Sequence, residues 1–278
     1  MKVATWNVNS IRARLPVALA WLDQARPDIA LLQETKVTEE QFPAEPFEER
    51  GYNVAARGEA GGRNGVAVLA RRPIEDLRER LPGDDGDAEA RYVEAVVDRT
   101  RVASVYVPNG TAVGSDRFAY KLAFLDRLRA HVRDLLELEE VLVIGGDYNV
   151  GPYPIDVFDP QALEGTICYH PDERAKLRAL LHLGLYDAFR IVEPRTRAYS
   201  WWHYQGRSWR ANQGLRIDHL LLSAQAVDRL ETCAIDPEPR AAKAPSDHAP
   251  VWCVLRDDSD PSPGLPASGC LFSVTQQD

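Results

Sequence analysis

The side chains best suited to chemistry in this 278-residue chain are carboxylates, amides and one histidine, set at the ends of short apolar runs. Asn7 and Asn9 follow KVATW, Glu34 follows DIALLQ, Tyr106 and Asn109 follow RVASV, and Asp147 and Asn149 follow VLVIGG. Asp218 interrupts RIDHLLL, and Asp247 and His248 sit in PSDHAP. Short aliphatic and β-branched runs read as buried strands, and a strand end is a rigid place from which to hold a polar group over a cleft. Asp147 can accept a proton or a cation, and Asn149 both donates and accepts hydrogen bonds. Hard oxygen donors with few imidazoles suit Mg²⁺, with Mn²⁺ as the alternative, rather than zinc. Magnesium commonly takes one or two carboxylates together with substrate phosphate oxygens. The inventory therefore suits hydrolysis of a phosphate ester with a metal as Lewis acid.

Other chemistries are excluded by what the sequence lacks. It has no GxSxG elbow, no GxxxxGK[ST] phosphate loop and no HExxH. Cys168, Cys233, Cys253 and Cys270 are isolated, without metal-ligand or disulfide-framework spacing. In PSDHAP two prolines stiffen the turn around Asp247 and His248, and a histidine oriented by a carboxylate serves as acid or base. Asp218, on an apolar strand, needs a partner because an unpaired buried charge is costly; Arg216 and His248 are the candidates. Each feature also has an ordinary structural explanation. These are an Asp/Asn turn at 147–149, a surface turn at 245–250 and an Arg–Asp pair at 216–218.

Lys and Arg number 33 against 42 Asp and Glu, a net charge of -9. That balance argues against non-specific adhesion to nucleic acid or to an anionic membrane. Residues 190–216 reverse it locally: Arg190, Arg195, Arg197, Arg207, Arg210 and Arg216 face a single acid, Glu193. Tyr199, Trp201, Trp202, Tyr204 and Trp209 interleave with them. Arginines beside stacking aromatics suit a nucleic-acid groove; the plainer alternative is a long loop pinned by its own tryptophans.

The elements that must position these groups follow from periodicity. Helices are predicted over 11–25, with Ser10 as N-cap, over 116–137, and over 170–189, closed near Gly184. Strands are predicted at 2–6, 28–35, 64–71, 141–144 and 214–223, and after the turn at 244–250. YNVAARGE pairs with 64–71, and a second hairpin turns at 98–100. Gly145 and Gly146 are expected to turn the backbone tightly. Hairpin-rich strands with helices between groups of them predict an α/β sandwich of two packed sheets flanked by helices. No linker divides 1–256, so one catalytic domain is expected, followed by a loosely attached Pro/Ser/Gly/Asp-rich tail at 257–278. No secretory leader and no apolar run near the roughly 18 residues of a membrane span is visible, which predicts a cytoplasmic protein without membrane contact.

LQETK (32–36), YVPNG (106–110), GDYN (146–149), GLRIDHLL (214–221) and PSDHAPV (245–251), in this order, resemble the exonuclease III family of bacterial-type apurinic/apyrimidinic endonucleases. WNVNSIRAR and RNGVAVL fit as well, so the resemblance runs from residue 1 to about 256. It implies a four-layer α/β sandwich and Mg²⁺-dependent cleavage of duplex DNA 5′ to an abasic site. It further implies 3′-phosphodiesterase, 3′-phosphatase and 3′-to-5′ exonuclease activity, with 3′-blocked duplex ends as further substrates; separately, a monomer is expected. By resemblance Glu34 is the main metal ligand with Asn7 close by, Asp247 is a nearby carboxylate, and Asp147 and Asn149 face the metal. His248, oriented by Asp218, contacts the scissile phosphate. Asp147 positions or deprotonates the attacking water, and Asn149 and Tyr106 contact the phosphate. Asn109 resembles a DNA-contacting position; Arg207, Arg210 and Arg216 are expected on the DNA side from the basic patch itself. Leu215 stands where some members carry a pocket-lining tryptophan, which shifts that task to Trp201 or Trp202. Two alternatives stand beside this: a related phosphodiesterase acting on a non-DNA phosphoester, and a catalytically silent DNA-binding protein on the same fold.

Overall fold

The computed structural model describes residues 1–257, so the tail assigned to 257–278 lies outside the described residues except for Asp257. The chain runs β1 (Lys2–Asn7), α1 (Ile11–Ala25), β2 (Ile29–Gln33), α2 (Glu45–Glu48), β3 (Asn53–Arg57), β4 (Val66–Ala70) and β5 (Glu75–Arg78). It continues with β6 (Tyr92–Val97), β7 (Thr100–Tyr106), α3 (Asp116–Leu136), β8 (Val141–Asp147), α4 (Pro171–Leu181), β9 (Tyr186–Asp187) and α5 (Ala188–Val192). It ends with β10 (Trp201–Trp202), β11 (Gly214–Leu215), β12 (Asp218–Leu222), α6 (Ala224–Val227), β13 (Leu230–Ile235) and β14 (Val251–Leu255).

Two six-stranded sheets form, ordered β13-β14-β1-β2-β4-β3 and β5-β6-β7-β8-β12-β9. Both are mixed: β1 and β2 pair in parallel, as do β7 and β8, and the remaining pairs are antiparallel. Val3, Leu31 and Val68 of the first sheet meet Val102, Val143 and Leu220 of the second in a shared core. The outer face of the first sheet buries Trp21 and Leu22 of α1 and Phe47 of α2. The outer face of the second buries Phe124, Leu128 and Val132 of α3 and Leu177 of α4. The result is the four-layer sandwich. The α3 stripe recurs every three to four residues as an amphipathic helix requires, and Ser115 caps its start by accepting from the Phe118 N–H at 3.2 Å.

Because side chains alternate along a strand, every second residue points between the sheets, and along these strands the inward residues change from apolar to polar. β1 runs Val3, Thr5, Asn7; β2 runs Ile29, Leu31, Gln33; β7 runs Val102, Ser104, Tyr106; β8 runs Val143, Gly145, Asp147. Antiparallel β12 reads the same way in reverse, Leu222, Leu220, Asp218, with Asp218 opposite Asp147 in register. All the polar ends therefore emerge at one edge of the sandwich.

Several local expectations change. Gly145 and Gly146 lie inside β8 and do not turn it. They are glycines because neighbours approach: a Cβ on Gly145 would lie 2.7 Å from Leu31, and one on Gly146 2.0 Å from the Val105 carbonyl oxygen. The expected strand 214–223 is broken at Arg216–Ile217 into β11 and β12. Ser10 makes no side-chain cap: its backbone (φ 83) lies outside the extended region of an ordinary N-cap, and its N–H donates to the Glu34 carbonyl at 2.7 Å. β5 and β13 were not visible as patterns: β5 is exposed along its length and β13 mostly half-buried, so neither carries a strong apolar signal.

Candidate active site

Glu34 follows β2 with a left-handed backbone (φ 52), which a non-glycine residue adopts only when its surroundings hold it there. Backbone bonds from the Ser10 N–H to Glu34 O and from the Ile11 N–H to Thr35 O, at 2.7 and 3.0 Å, stitch this turn to the one after β1. Asn7, at the end of β1, donates from Nδ2 to Glu34 Oε1 and to Asp147 Oδ2, both at 2.9 Å. It thereby ties a carboxylate of one sheet to a carboxylate of the other. Asp147 also accepts from the Asn149 backbone N–H at 2.9 Å and from Asn149 Nδ2 at 3.2 Å.

His248 enters from the turn before β14. Its Nδ1 donates to Asp218 at 2.9 Å, and its Nε2 lies 3.8 Å from Asp147 Oδ2. Asp218 is fixed in turn by the Ser200 hydroxyl at 2.6 Å, and that hydroxyl accepts the backbone N–H groups of Ile217 and Asp218 at 3.1 Å each. Glu34, Asp147 and His248 each offer a ligand atom within 4.8 Å of the others. A cleft of about 330 Å³ opens over them, walled by Tyr106, Asn109, Trp201, Leu215 and Asp247.

The electrostatics follow from crowding negative charge at a buried point. Burial pushes the Asp147 carboxyl up to about 7; Asp218 and Glu34 add to the rise, and His248 opposes it. Burial alone would lower His248, but the carboxylates of Asp218 and Asp147 and the bond to Asp218 outweigh it and lift the imidazole to about 10. Burial likewise would raise Glu34, but Lys36, 2.7 Å away, and the Asn7 amide hold it below its ordinary value. Burial, with Glu34 and Asp147 nearby, drives Tyr106 well above 10, so it stays a protonated phenol able to donate. Two carboxylates converging from opposite sheets, one of them made hard to ionise by burial and by the acids beside it, form an oxygen donor set whose crowded negative charge a hard divalent cation would offset.

Asn7, Glu34, Tyr106, Asp147, Asn149, Asp218 and His248 thus come together. Asn109 joins at the rim, donating to Asn149 Oδ1 at 3.1 Å. Asp247 is occupied elsewhere: Asn9 Nδ2 and Trp201 Nε1 donate to it at 2.9 and 3.0 Å, so it fixes the cleft wall and lies outside the three-residue donor group. Trp202 does not line the cleft. It is 3 % exposed, donates to Asn212 at 3.1 Å and packs edge-on against Trp209. Arg216 is a correction of a different kind. At 1 % exposure it cannot reach DNA; it pairs with Asp156 and Asp187, each at 2.7 Å, and leaves Asp218 to His248. Arg190 joins the same buried group through Asp156. Arg207 and Arg210 lie on an adjoining basin.

Three contributors were missed. Ser200 carries no sequence signal beyond lying before the tryptophans. Lys36 was legible only as part of LQETK. Lys121 had a signal: a lysine on the apolar stripe of α3, three residues after Phe118. It is fully buried, binds Glu173 at 2.5 Å, and donates to the carbonyl oxygens of Asn149 and Asn109 at 2.8 and 3.1 Å, locking both loops of the site.

This cleft over opposed carboxylates and an oriented histidine, at one edge of a double-sheet sandwich, defines a metal-assisted phosphoesterase. The model of the Endonuclease/Exonuclease/phosphatase family matches residues 4–248, and the chain belongs to that family. Within it the chain is a hydrolytic enzyme of the exonuclease III type. Exodeoxyribonuclease III of Haemophilus influenzae is 33 % identical over 268 residues, covering 92 % of this chain and 100 % of the relative. The 3′ phosphatase NExo from Neisseria, solved bound to a product DNA hairpin, superposes with a TM-score of 0.90 at 37 % identity, covering 92 % of this chain and 99 % of that one. An AP endonuclease from Archaeoglobus fulgidus gives 0.88 at 36 % identity, with the same coverage.

Proposed function

We propose that this enzyme is a Mg²⁺-dependent DNA-repair nuclease that cuts the phosphodiester 5′ to an abasic site in duplex DNA and also removes 3′-blocking groups and 3′-terminal nucleotides. The observation that carries this reading is the meeting of Glu34, Asp147 and His248 under a cleft whose wall is Trp201 and Leu215. A bound divalent cation, held by Glu34 and Asp147, would supply Lewis-acid stabilisation of charge on the phosphate.

The protein's own groups do the rest. His248, its ring fixed through Nδ1 by Asp218, turns Nε2 toward Asp147 and donates to a phosphate oxygen. Tyr106 donates as a neutral phenol. Asp147, held by two bonds from Asn149 and one from Asn7, orients the attacking water and takes its proton. Asn149 contacts the phosphate. Trp201 and Leu215 offer an apolar wall to a deoxyribose without a base, and the missing base lowers the cost of unstacking that nucleotide. Asn109, Arg207 and Arg210 contact the strand around it. The enzyme acts as a monomer in the cytoplasm, on the nucleoid.

The non-DNA phosphoesterase alternative leaves the tryptophan wall and neighbouring arginines without a task. The silent alternative does not require the donor group to stay intact. The test is a duplex carrying one abasic analogue, incubated with Mg²⁺, with and without chelator, and with a 3′-blocked duplex alongside. A nick 5′ to the analogue that chelator abolishes is expected. An uncut strand, under conditions where a control nuclease cuts, would remove the abasic-site reading.

A further inference from the structure

A second cavity, of about 450 Å³, adjoins the catalytic cleft and shares His203 with it. Its walls include Tyr204, Arg207, Trp209, Arg210 and Arg240, and no acidic residue. Arg240 lies just before PSDHAP and is the unusual member. It is 7 % exposed, with its guanidinium between the rings of Tyr204 and Trp209, 5.3 Å from each centroid. Among the described residues its side chain makes a single hydrogen bond, from Nη2 to the Trp202 carbonyl oxygen at 3.3 Å, and its Nε is shielded from solvent with no acceptor.

Among the described residues, the other buried arginines have carboxylate partners. Arg216 has Asp156 and Asp187; Arg101 has Glu94, Asp76 and Glu140; Arg91 has Glu89. Arg127, Arg174 and Arg190 each leave one buried nitrogen without an acceptor, but each also holds a carboxylate. Among the described residues no carboxylate lies within ion-pair distance of Arg240, and Asp247 acts on it only from farther off. A buried cation without a paired counter-charge is costly. Two stacked rings recover part of that cost, and they fix the plane of a donor fork whose geometry matches phosphate. Arg207 and Arg210 extend the same positive wall.

We propose that this basin is an anion subsite in which Arg240, with Arg207 and Arg210, takes a backbone phosphate of the DNA strand flanking the scissile one. The proposal rests on the nuclease reading above. It makes Arg240 a positioning residue for the substrate strand, and it places recognition of the flanking strand on the side of the cleft bounded by His203.

The test is binding of a labelled duplex with one abasic analogue, in chelator, from 50 to 200 mM salt, by wild type, R210A, R240Q, R240K and the R210A/R240Q double variant. Thermal melts of each run beside it. R210A and R240Q should each weaken binding about three- to tenfold and lower the slope of log affinity against log salt by up to about one, the loss of one phosphate contact. The double variant should lose no more than that one contact, and R240K should recover affinity in part. Neutralising single backbone positions with methylphosphonate should reveal one position whose loss weakens wild type but not the double variant.

Should R240Q melt early, R210A and R240K decide the matter. Unchanged affinity and slope in both, with wild type binding and cutting normally, overturns the subsite and leaves the nuclease reading standing. Trp209 fluorescence that responds to inorganic phosphate, together with unchanged duplex slopes in every variant, would assign the basin to free phosphate and also overturn it. A wild type that neither binds nor cuts duplex DNA fails the nuclease reading itself.

Discussion

Asp147 and His248 occupy one small volume but depend on different supports, and their variants separate those supports. Asp147→Asn keeps the shape and removes the proton acceptor, so kcat for abasic cleavage should fall by about 10²–10⁴ with the unfolding midpoint close to wild type. Steady-state cleavage and urea unfolding on the same preparation check both halves; near-normal cleavage would take Asp147 out of its role. Removing His248 as a donor should cost about 10²–10³ in kcat. Asp218→Asn leaves the imidazole in place but weakens its orientation, and by analogy with other orienting carboxylates should cost about 10- to 100-fold. The order His248→Ala above Asp218→Asn is the discriminating result, because Asp218 acts only through the ring it holds 2.9 Å away. Asn7 was legible as a polar strand end, but its bridging of Glu34 and Asp147 was not, since nothing in the sequence says that β1 runs between the two carboxylates.

At the scale of elements, β8 sets how closely the sheets approach beneath the site. Gly145 faces the first sheet, where an added Cβ would press on Leu31 and on Leu220 of β12, at 2.7 and 2.8 Å. Those are flexible side-chain ends, so Gly145→Ala should cost about 1–3 kcal/mol, the usual range for overpacking. Gly146 faces backbone: its Cβ would meet the Val105 carbonyl oxygen at 2.0 Å, and backbone cannot swing aside. Gly146→Ala should therefore be the worse of the two and should also depress cleavage, because Asp147 is the next residue along. Denaturant midpoints rank the pair; equal midpoints would show that β8 has slack. The expectation of a turn at these glycines arose because glycine freedom and glycine thinness look alike in a sequence. Only the opposing strand distinguishes them.

For the whole molecule, the segment 190–216 divides its arginines between two tasks. Arg216 and Arg190 turn inward to Asp156 and Asp187, and Arg207 and Arg210 line a basin beside the cleft. Removing Arg216 takes the arginine partner from Asp187 and leaves Asp156 to Arg190 alone, so Arg216→Met should destabilise by about 3–5 kcal/mol, measured by urea unfolding. Loss of DNA affinity with unchanged stability would contradict the burial. The same group predicts an acid limit. Burial would raise Asp187, but Arg216 and His219 outweigh it and hold the carboxyl below its ordinary 3.8. A carboxyl depressed by folding contributes stability that is present above its unfolded value and is lost as pH falls through the folded one. Stability should therefore decline below pH 3.8, by about 1.4 kcal/mol per pH unit for this proton. Unfolding midpoints from pH 7 down to 3 follow it; a flat profile would show that Asp187 titrates normally.

The sequence by itself determined the chemistry and much of the scaffold. Residue types at strand ends named the carboxylates, the amides and His248, and local periodicity named α1, α3 and most of the strands, because both kinds of information lie within a few consecutive residues. The alternation along β1, β2, β7 and β8 was present too, in the change from valine and leucine to asparagine, aspartate and tyrosine on the inward positions. Tertiary structure alone decided which partner each charge took. Asp218 had two candidates in sequence and chose His248; Arg216 went to Asp156 and Asp187; Arg240 lies against two rings with no carboxylate among the described residues at ion-pair distance. Ion pairing acts over a few ångströms between groups far apart in the chain, so the folded arrangement of strands and loops, rather than local pattern, settles it.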